Sequence, residues 1–266
     1  MSRLLVCPPE YFQIDYEINP WMRRENAVAP SRAASQWQRL VNVLEQDVGA
    51  GIELMQPVPG LPDLVFTANA GVVDGRRAVI SRFRYPERRR EEVYFTQWFH
   101  EHGYDVVTLE ESLYFEGAGD LLGFPDTWFG GYRQRSDIRS FPKLSEIFQR
   151  EIIPLELIDG RFYHLDTCFC PLSGGELLYF PPAFDAYGLA AIAQRIPEEQ
   201  RLVVPEAEAI RFACNAVCIG KHIVIPAGCP STTGLLESRG YYTHDVELGE
   251  FMKSGGAAKC LTLALD

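Results

Sequence analysis

Four stretches of the chain share one order of side chains: an aromatic residue, a few small or polar residues, an apolar run, a break containing glycine, and a second apolar run. They are FTANAGVVDGRRAVI from Phe66, FEGAGDLLGFPDTWFGG from Phe115, YHLDTCFCPLSGGELLYF from Tyr163 and FACNAVCIGKHIVIP from Phe212, with starts 49, 48 and 49 residues apart. Two apolar runs closed on each other through Asp74-Gly75, Gly123, Gly174-Gly175 or Gly220 predict a β-hairpin in each unit. LLVCPP near the start and KCLTLAL at the end supply the halves of a fifth unit that joins the termini. Between the hairpins, apolar residues spaced by three and four predict helices over Ser31–Glu45 (with Ser31 as its cap), Arg88–His102 and Phe184–Ile196. Hairpin and helix repeated at this period predict modules set radially about an axis, α/β in class. No low-complexity linker divides the chain, so residues 1–266 read as one domain.

Charge and composition narrow the functions. The chain is 47% hydrophobic and 23% charged with a formal net charge of −11. Basic residues cluster only over Arg82 to Arg90. This balance argues against nucleic acid and anionic membrane surfaces as partners, and it suits a small cationic substrate. No apolar run approaches the ~18 residues of a membrane span. The opening MSRLLVCPPEYF, broken by Pro8 and Pro9, does not read as a leader peptide. Seven cysteines, an odd number, point to reduced thiols and a cytoplasmic location. Cys214, Cys218 and His222 fall at intervals of four, but no second compact pair completes a metal site, so the cysteines read as buried apolar side chains beside a hairpin. Cys168 and Cys170 alternate on one face of a buried strand.

Polar residues at the head of each repeat occupy equivalent places and, in a radial fold, converge near the axis. They are Asn69, Glu116, His164, Asp166 and Asn215, joined by Cys260 in the last segment. Any one alone reads as a turn former or cap. A set containing Glu, His, Asp and a glycine-flanked Cys is suited to nucleophilic chemistry.

PDLVFTANAGVV (Pro62 to Val73), FEGAGD (Phe115 to Asp120), HLDTCF (His164 to Phe169) and GGAAKC (Gly255 to Cys260) together resemble the guanidine-modifying enzymes. That superfamily contains arginine deiminases, dimethylarginine dimethylaminohydrolases, glycine amidinotransferases and cyanobacterial-type arginine dihydrolases. The motifs follow the family's order and span nearly the whole chain. The resemblance implies the pentein fold, a five-bladed α/β propeller. It implies Cys260 as nucleophile, His164 as general acid and base, and Glu116 and Asp166 as carboxylates that grip a guanidinium. It also implies Arg135, with Arg133 as a helper, on the substrate carboxylate. Asn19, in INPWM, resembles a substrate-contacting asparagine of the dihydrolases and equally suits a turn before Pro20. Deiminases and dimethylaminohydrolases carry an acidic residue where this chain has Asn69, and FTANAG resembles the dihydrolases instead. An amide there both accepts and donates toward the neutral ureido group of citrulline.

The expected activity is therefore arginine dihydrolysis to ornithine, ammonia and CO2 through a Cys-linked intermediate, with no metal, nucleotide or flavin. Arginine deiminase and methylarginine hydrolase are the nearest alternatives, separated by the pocket beside the leaving nitrogen. Amidinotransfer would need an amine to resolve the intermediate. A non-catalytic pentein would lack the nucleophile and its partners. The dihydrolase module is often followed by an ornithine-processing region. Here the chain ends six residues after Cys260, which fits either a stand-alone enzyme or part of a longer one. A homo-oligomer is compatible with the sequence, which does not specify one.

Overall fold

The computed structural model describes residues 2–266. Its strands form five three-stranded sheets of one design. In the second sheet, β3 (Gly71–Asp74) turns at Gly75 (φ +61°) into antiparallel β4 (Arg77–Ile80), and the chain then crosses to β5 (Asp105–Thr108), parallel to β4. The same path runs through β6 (Leu121–Phe124), β7 (Thr127–Tyr132) and β8 (Glu151–Glu156), then β9 (Phe169–Pro171), β10 (Leu177–Tyr179) and β11 (Arg201–Val203). It recurs in β12 (Val217–Ile219), β13 (His222–Pro226) and β14 (Tyr242–Val246). The first sheet is closed by both ends of the chain: β1 (Arg3–Val6) lies between parallel β2 (Gly51–Leu54) and antiparallel β15 (Leu263–Ala264). The fifth unit assembled from the two termini is thus present. Five such sheets accord with the five-fold pentein repeat.

Each parallel step contains a helix, as such crossovers require. They are α1 (Pro30–Asn42), α2 (Glu91–Glu101), α3 (Ser140–Phe148), α4 (Ala186–Arg195) and, after the short α5 (Glu206–Ala209), α6 (Pro230–Ser238). A last short helix, α7 (Gly249–Met252), precedes Cys260. Two local expectations change. Ser31 is not the cap of α1. Pro30 begins that helix with its φ already set and Ala29 precedes it, so Ser31 lies inside the first turn. Gly123 is not the turn of its hairpin but lies in β6 opposite Trp128, where a Cβ would overlap the Trp128 backbone and ring; the turn falls at Pro125-Asp126.

What the fold does for function lies in the segments that enter the innermost strands. Short turns at Thr67–Ala70, Gly117–Gly119 and Leu165–Thr167 run directly into β3, β6 and β9. Asn215 precedes β12, and Cys260 precedes β15. Equivalent points of five sheets therefore carry Asn69, Glu116, His164 with Asp166, Asn215 and Cys260. All six side chains are buried.

Candidate active site

Asn215 fixes the thiol. Its Oδ1 accepts the backbone N–H groups of Ala257 (3.0 Å) and Cys260 (3.1 Å), while Nδ2 donates to the Asp166 carbonyl (3.0 Å) and to Cys260 Sγ (3.1 Å). Both protons of the amide are thereby used. Sγ lies 3.2 Å from Asp166 Oδ2. Burial raises the thiol well above its ordinary value, and the Asp166 carboxylate adds to this, so Cys260 rests as a thiol. Burial likewise raises Asp166, to about 7. Its other oxygen, Oδ1, is buried without a hydrogen-bond partner.

Across from the thiol, Glu116 Oε2 meets His164 Nε2 at 2.7 Å and Arg135 Nη1 at 2.8 Å, and Oε1 accepts the Arg84 N–H at 3.2 Å. Burial works to raise Glu116, but Arg135 and His164 outweigh it and hold the carboxyl below its usual range. Burial lowers His164 to about 4 despite Glu116. An ionised Glu116 only accepts, so the neutral imidazole carries its proton on Nε2. The Arg135 guanidinium is stacked between the rings of Tyr85 and Tyr163, 4.8 and 4.7 Å from their centroids, and its Nη2 donates to the Ile18 carbonyl.

A third group adjoins the first two. Asn69 donates from Nδ2 to the Glu116 carbonyl (3.1 Å) and accepts at Oδ1 from Arg88 Nη1 (2.9 Å). Arg88 is itself buried and clamped by Glu91 at 2.9 and 2.7 Å. Asp63 Oδ2 accepts the Tyr16 hydroxyl, while Asp63 Oδ1 is a second buried carboxylate oxygen without a partner. Over this floor lies the segment around Asn19. Its Oδ1 accepts from Trp21 N and Met22 N, and its Nδ2 donates to the Ser254 carbonyl at 3.0 Å. Asn19 thus forms a turn and also walls the cavity. The enclosed space, bounded by Ile18, Asn19, Asp63, Asn69, Arg88, Arg135, Tyr163 and Cys260 among others, is only about 10 Å3, room for one water.

Of the residues singled out from sequence, Arg133 does not join the others. Its backbone is in the left-handed region (φ +93°) and its half-exposed side chain pairs outward with Glu156 at 2.7 Å. That turn aims Arg135, two residues on, at the cavity. The second inward guanidinium is Arg88, which in the sequence stands within the basic run Arg82 to Arg90 and was not among the candidate site residues. The signal available was Glu91, one helical turn later and able to neutralise it.

The chain matches the family described as N,N dimethylarginine dimethylhydrolase, eukaryotic, over residues 8–265. It belongs to that family. Among its relatives, the bifunctional arginine dihydrolase/ornithine cyclodeaminase ArgZ of Synechocystis sp. is 47% identical over 264 residues. That match covers 98% of this chain but 37% of ArgZ, so the chain spans little more than a third of that protein. The N(G),N(G)-dimethylarginine dimethylaminohydrolase of Mycobacterium tuberculosis is 35% identical over 263 residues, covering 99% of this chain and 85% of the relative. The solved N-terminal domain of ArgZ, a cysteine-to-serine mutant bound to substrate, superposes with a TM-score of 0.96 at 46% identity, covering 100% of this chain and 98% of that one. Among the described residues no helix is long and apolar enough to cross a membrane, and all seven cysteines are unpaired.

Proposed function

We propose that the chain hydrolyses L-arginine to ornithine, two ammonia and CO2, with Cys260 as nucleophile. The observation that carries this reading is the charge pattern around one thiol. Two partnerless carboxylate oxygens, Asp166 Oδ1 and Asp63 Oδ1, match two cationic groups, and two inward guanidiniums, Arg88 and Arg135, match one carboxylate. Free arginine has this set: a guanidinium for Asp166 and Glu116, an α-ammonium for Asp63, and an α-carboxylate for the arginines. ArgZ, itself an arginine dihydrolase, supports the choice of substrate.

The chemistry follows from the resting state. A guanidinium lodged against Asp166 replaces the thiol proton as that carboxylate's partner, and as the thiolate forms that proton passes to the free Nδ1 of His164, which is neutral at rest and thereby becomes the imidazolium acid. The thiolate adds to the guanidinium carbon. His164 delivers a proton to one nitrogen, which departs as ammonia and leaves a thiouronium on Cys260. Water, deprotonated by the now neutral His164, then displaces the sulfur to give citrulline. A second round on the ureido carbon expels the second ammonia and, after hydrolysis, an Nδ-carbamate that loses CO2. Two waters are consumed overall. Asn69 suits this second round. Arg88 fixes its oxygen, leaving one Nδ2 proton to donate to a ureido oxygen. An Asp at 69 would instead set a carboxylate oxygen against the Glu116 carbonyl.

Mass-resolved product analysis with L-arginine, beside Cys260→Ser, tests this. Ornithine with two equivalents of ammonia, abolished in the variant, is expected, and Asn69→Asp should lose turnover of citrulline. Citrulline accumulating with one equivalent would make the chain a deiminase. The family match favours one second reading, dimethylamine release from dimethylarginine, which the same analysis detects with that substrate.

A further inference from the structure

Asp120 lies at the centre of the half of the site that holds Glu116 and His164, yet touches neither side chain. It is fully buried at the end of the Gly117–Gly119 turn. Oδ2 accepts the Ser136 hydroxyl at 2.7 Å, Oδ1 accepts the Leu165 N–H at 3.0 Å, and its carbonyl accepts the Gly131 N–H at 2.9 Å. Ser136 Oγ in turn accepts the Glu116 N–H at 3.0 Å. The single hydroxyl proton of Ser136 is committed to Asp120, so the bonds have one direction: Glu116 N–H to Ser136, Ser136 O–H to Asp120. Each anchored residue is, or adjoins, a member of the hydrogen-bonded cluster of Glu116, His164 and Arg135. Ser136 follows Arg135, Leu165 follows His164, and Glu116 is held directly. Two of these segments belong to the β6–β8 sheet and the third enters β9, so the carboxylate spans the seam between neighbouring sheets. Glu116 Oε2 meets His164 Nε2 across that seam.

We propose that Asp120, acting through Ser136 and Leu165, is a positioning residue that sets the Glu116–His164 contact. The carboxylate is suited to the task. Two donors reach it from opposite segments, and no uncharged side chain of its size accepts on both arms. Burial raises it well above its ordinary value, while the Ser136 bond and, less strongly, the Leu165 N–H oppose that rise. The thiol half of the site has an anchor of its own, Asn215, which holds Cys260 and the Asp166 carbonyl.

The test uses Asp120→Asn, which is isosteric but turns one arm into a donor, and Ser136→Ala, which removes the bridge with little change of volume. In both, kcat on arginine should fall about 10- to 100-fold, as for a misplacement of ~1 Å, with KM within about threefold. The His164 titration, followed by NMR, should move from its low value, while the rate of Cys260 alkylation by iodoacetamide stays within about twofold. Wild-type kcat and His164 titration in both variants would overturn the proposal. So would alkylation changing in step with kcat, since that indicates general loosening. The kinetic arm rests on the proposed arginine chemistry. If wild type leaves arginine untouched, that reading fails and the His164 titration alone decides the role of Asp120.

Discussion

Burial raises the Asp166 carboxyl to about 7, and Lys259 and the Cys260 thiol only partly offset it. Near neutral pH the group is thus close to half protonated, and a guanidinium seated against it must expel that proton. Calorimetry of arginine binding to Cys260→Ser, which keeps a donor to the carboxylate, in buffers of different ionisation enthalpy, should show about half a proton released at pH 7 and almost none at pH 9. The same shift has a cost in stability. A carboxyl whose pKa is higher folded than unfolded favours the fold fully below the unfolded value, and that contribution is lost as pH rises through about 7. Asp166→Asn should therefore be inactive yet more stable than wild type at pH 8, by on the order of a few kcal/mol, with the gain vanishing near pH 4. The two arginines separate as sharply. Arg133→Ala, which removes an outward ion pair, should leave kcat/KM within about twofold. Arg88→Ala strands buried Glu91 and frees Asn69; it should lose at least ~100-fold in kcat/KM and lower the melting temperature.

At the scale of elements, the turns entering the inner strands are packed to their backbones. Gly117 sits at φ +63°, and a Cβ there would lie 2.8 Å from the Ala68 carbonyl and 2.9 Å from the Gly71 nitrogen. Gly117→Ala should cost about 2–4 kcal/mol and lower the melting temperature by roughly 5–15 °C in calorimetry. These turns were also the most legible part of the sequence. The starts at Phe66, Phe115, Tyr163 and Phe212 marked them because each must repeat the same aromatic anchor, bend and inner strand. Helix positions were legible from spacing, though not their ends: Ser31 yielded to Pro30, whose fixed ring outranks a hydroxyl cap. The direction of an arginine was not legible. Arg133 and Arg135 share one motif, and a left-handed backbone at the first decides which turns inward. Arg88 was hidden because its partners Asn69 and Asp63 lie 19 and 25 residues away, joined only by the fold. Asn19 supported a turn and a cavity wall in sequence, and in the structure it is both.

Over the whole molecule, five sheets of one design bring six functional side chains to the axis from segments almost 200 residues apart, and the chain's two ends share the first sheet. None of these six residues lies on an α-helix. Surface change on a helix should therefore be tolerated more readily than change in the turns before the inner strands. The cavity at the centre has room for only one water. Arginine cannot enter it without displacement of the Ile18–Met22 segment, whose ties include the Arg135–Ile18, Asn19–Ser254 and Trp21–Arg161 bonds. A neutral thiol reagent faces the same barrier. Its rate of reaction with Cys260 should rise with concentration and then level off, and the plateau is the frequency at which the unoccupied protein uncovers itself. The buried cysteine thus serves as a stopwatch, timing a motion of the protein with no substrate present.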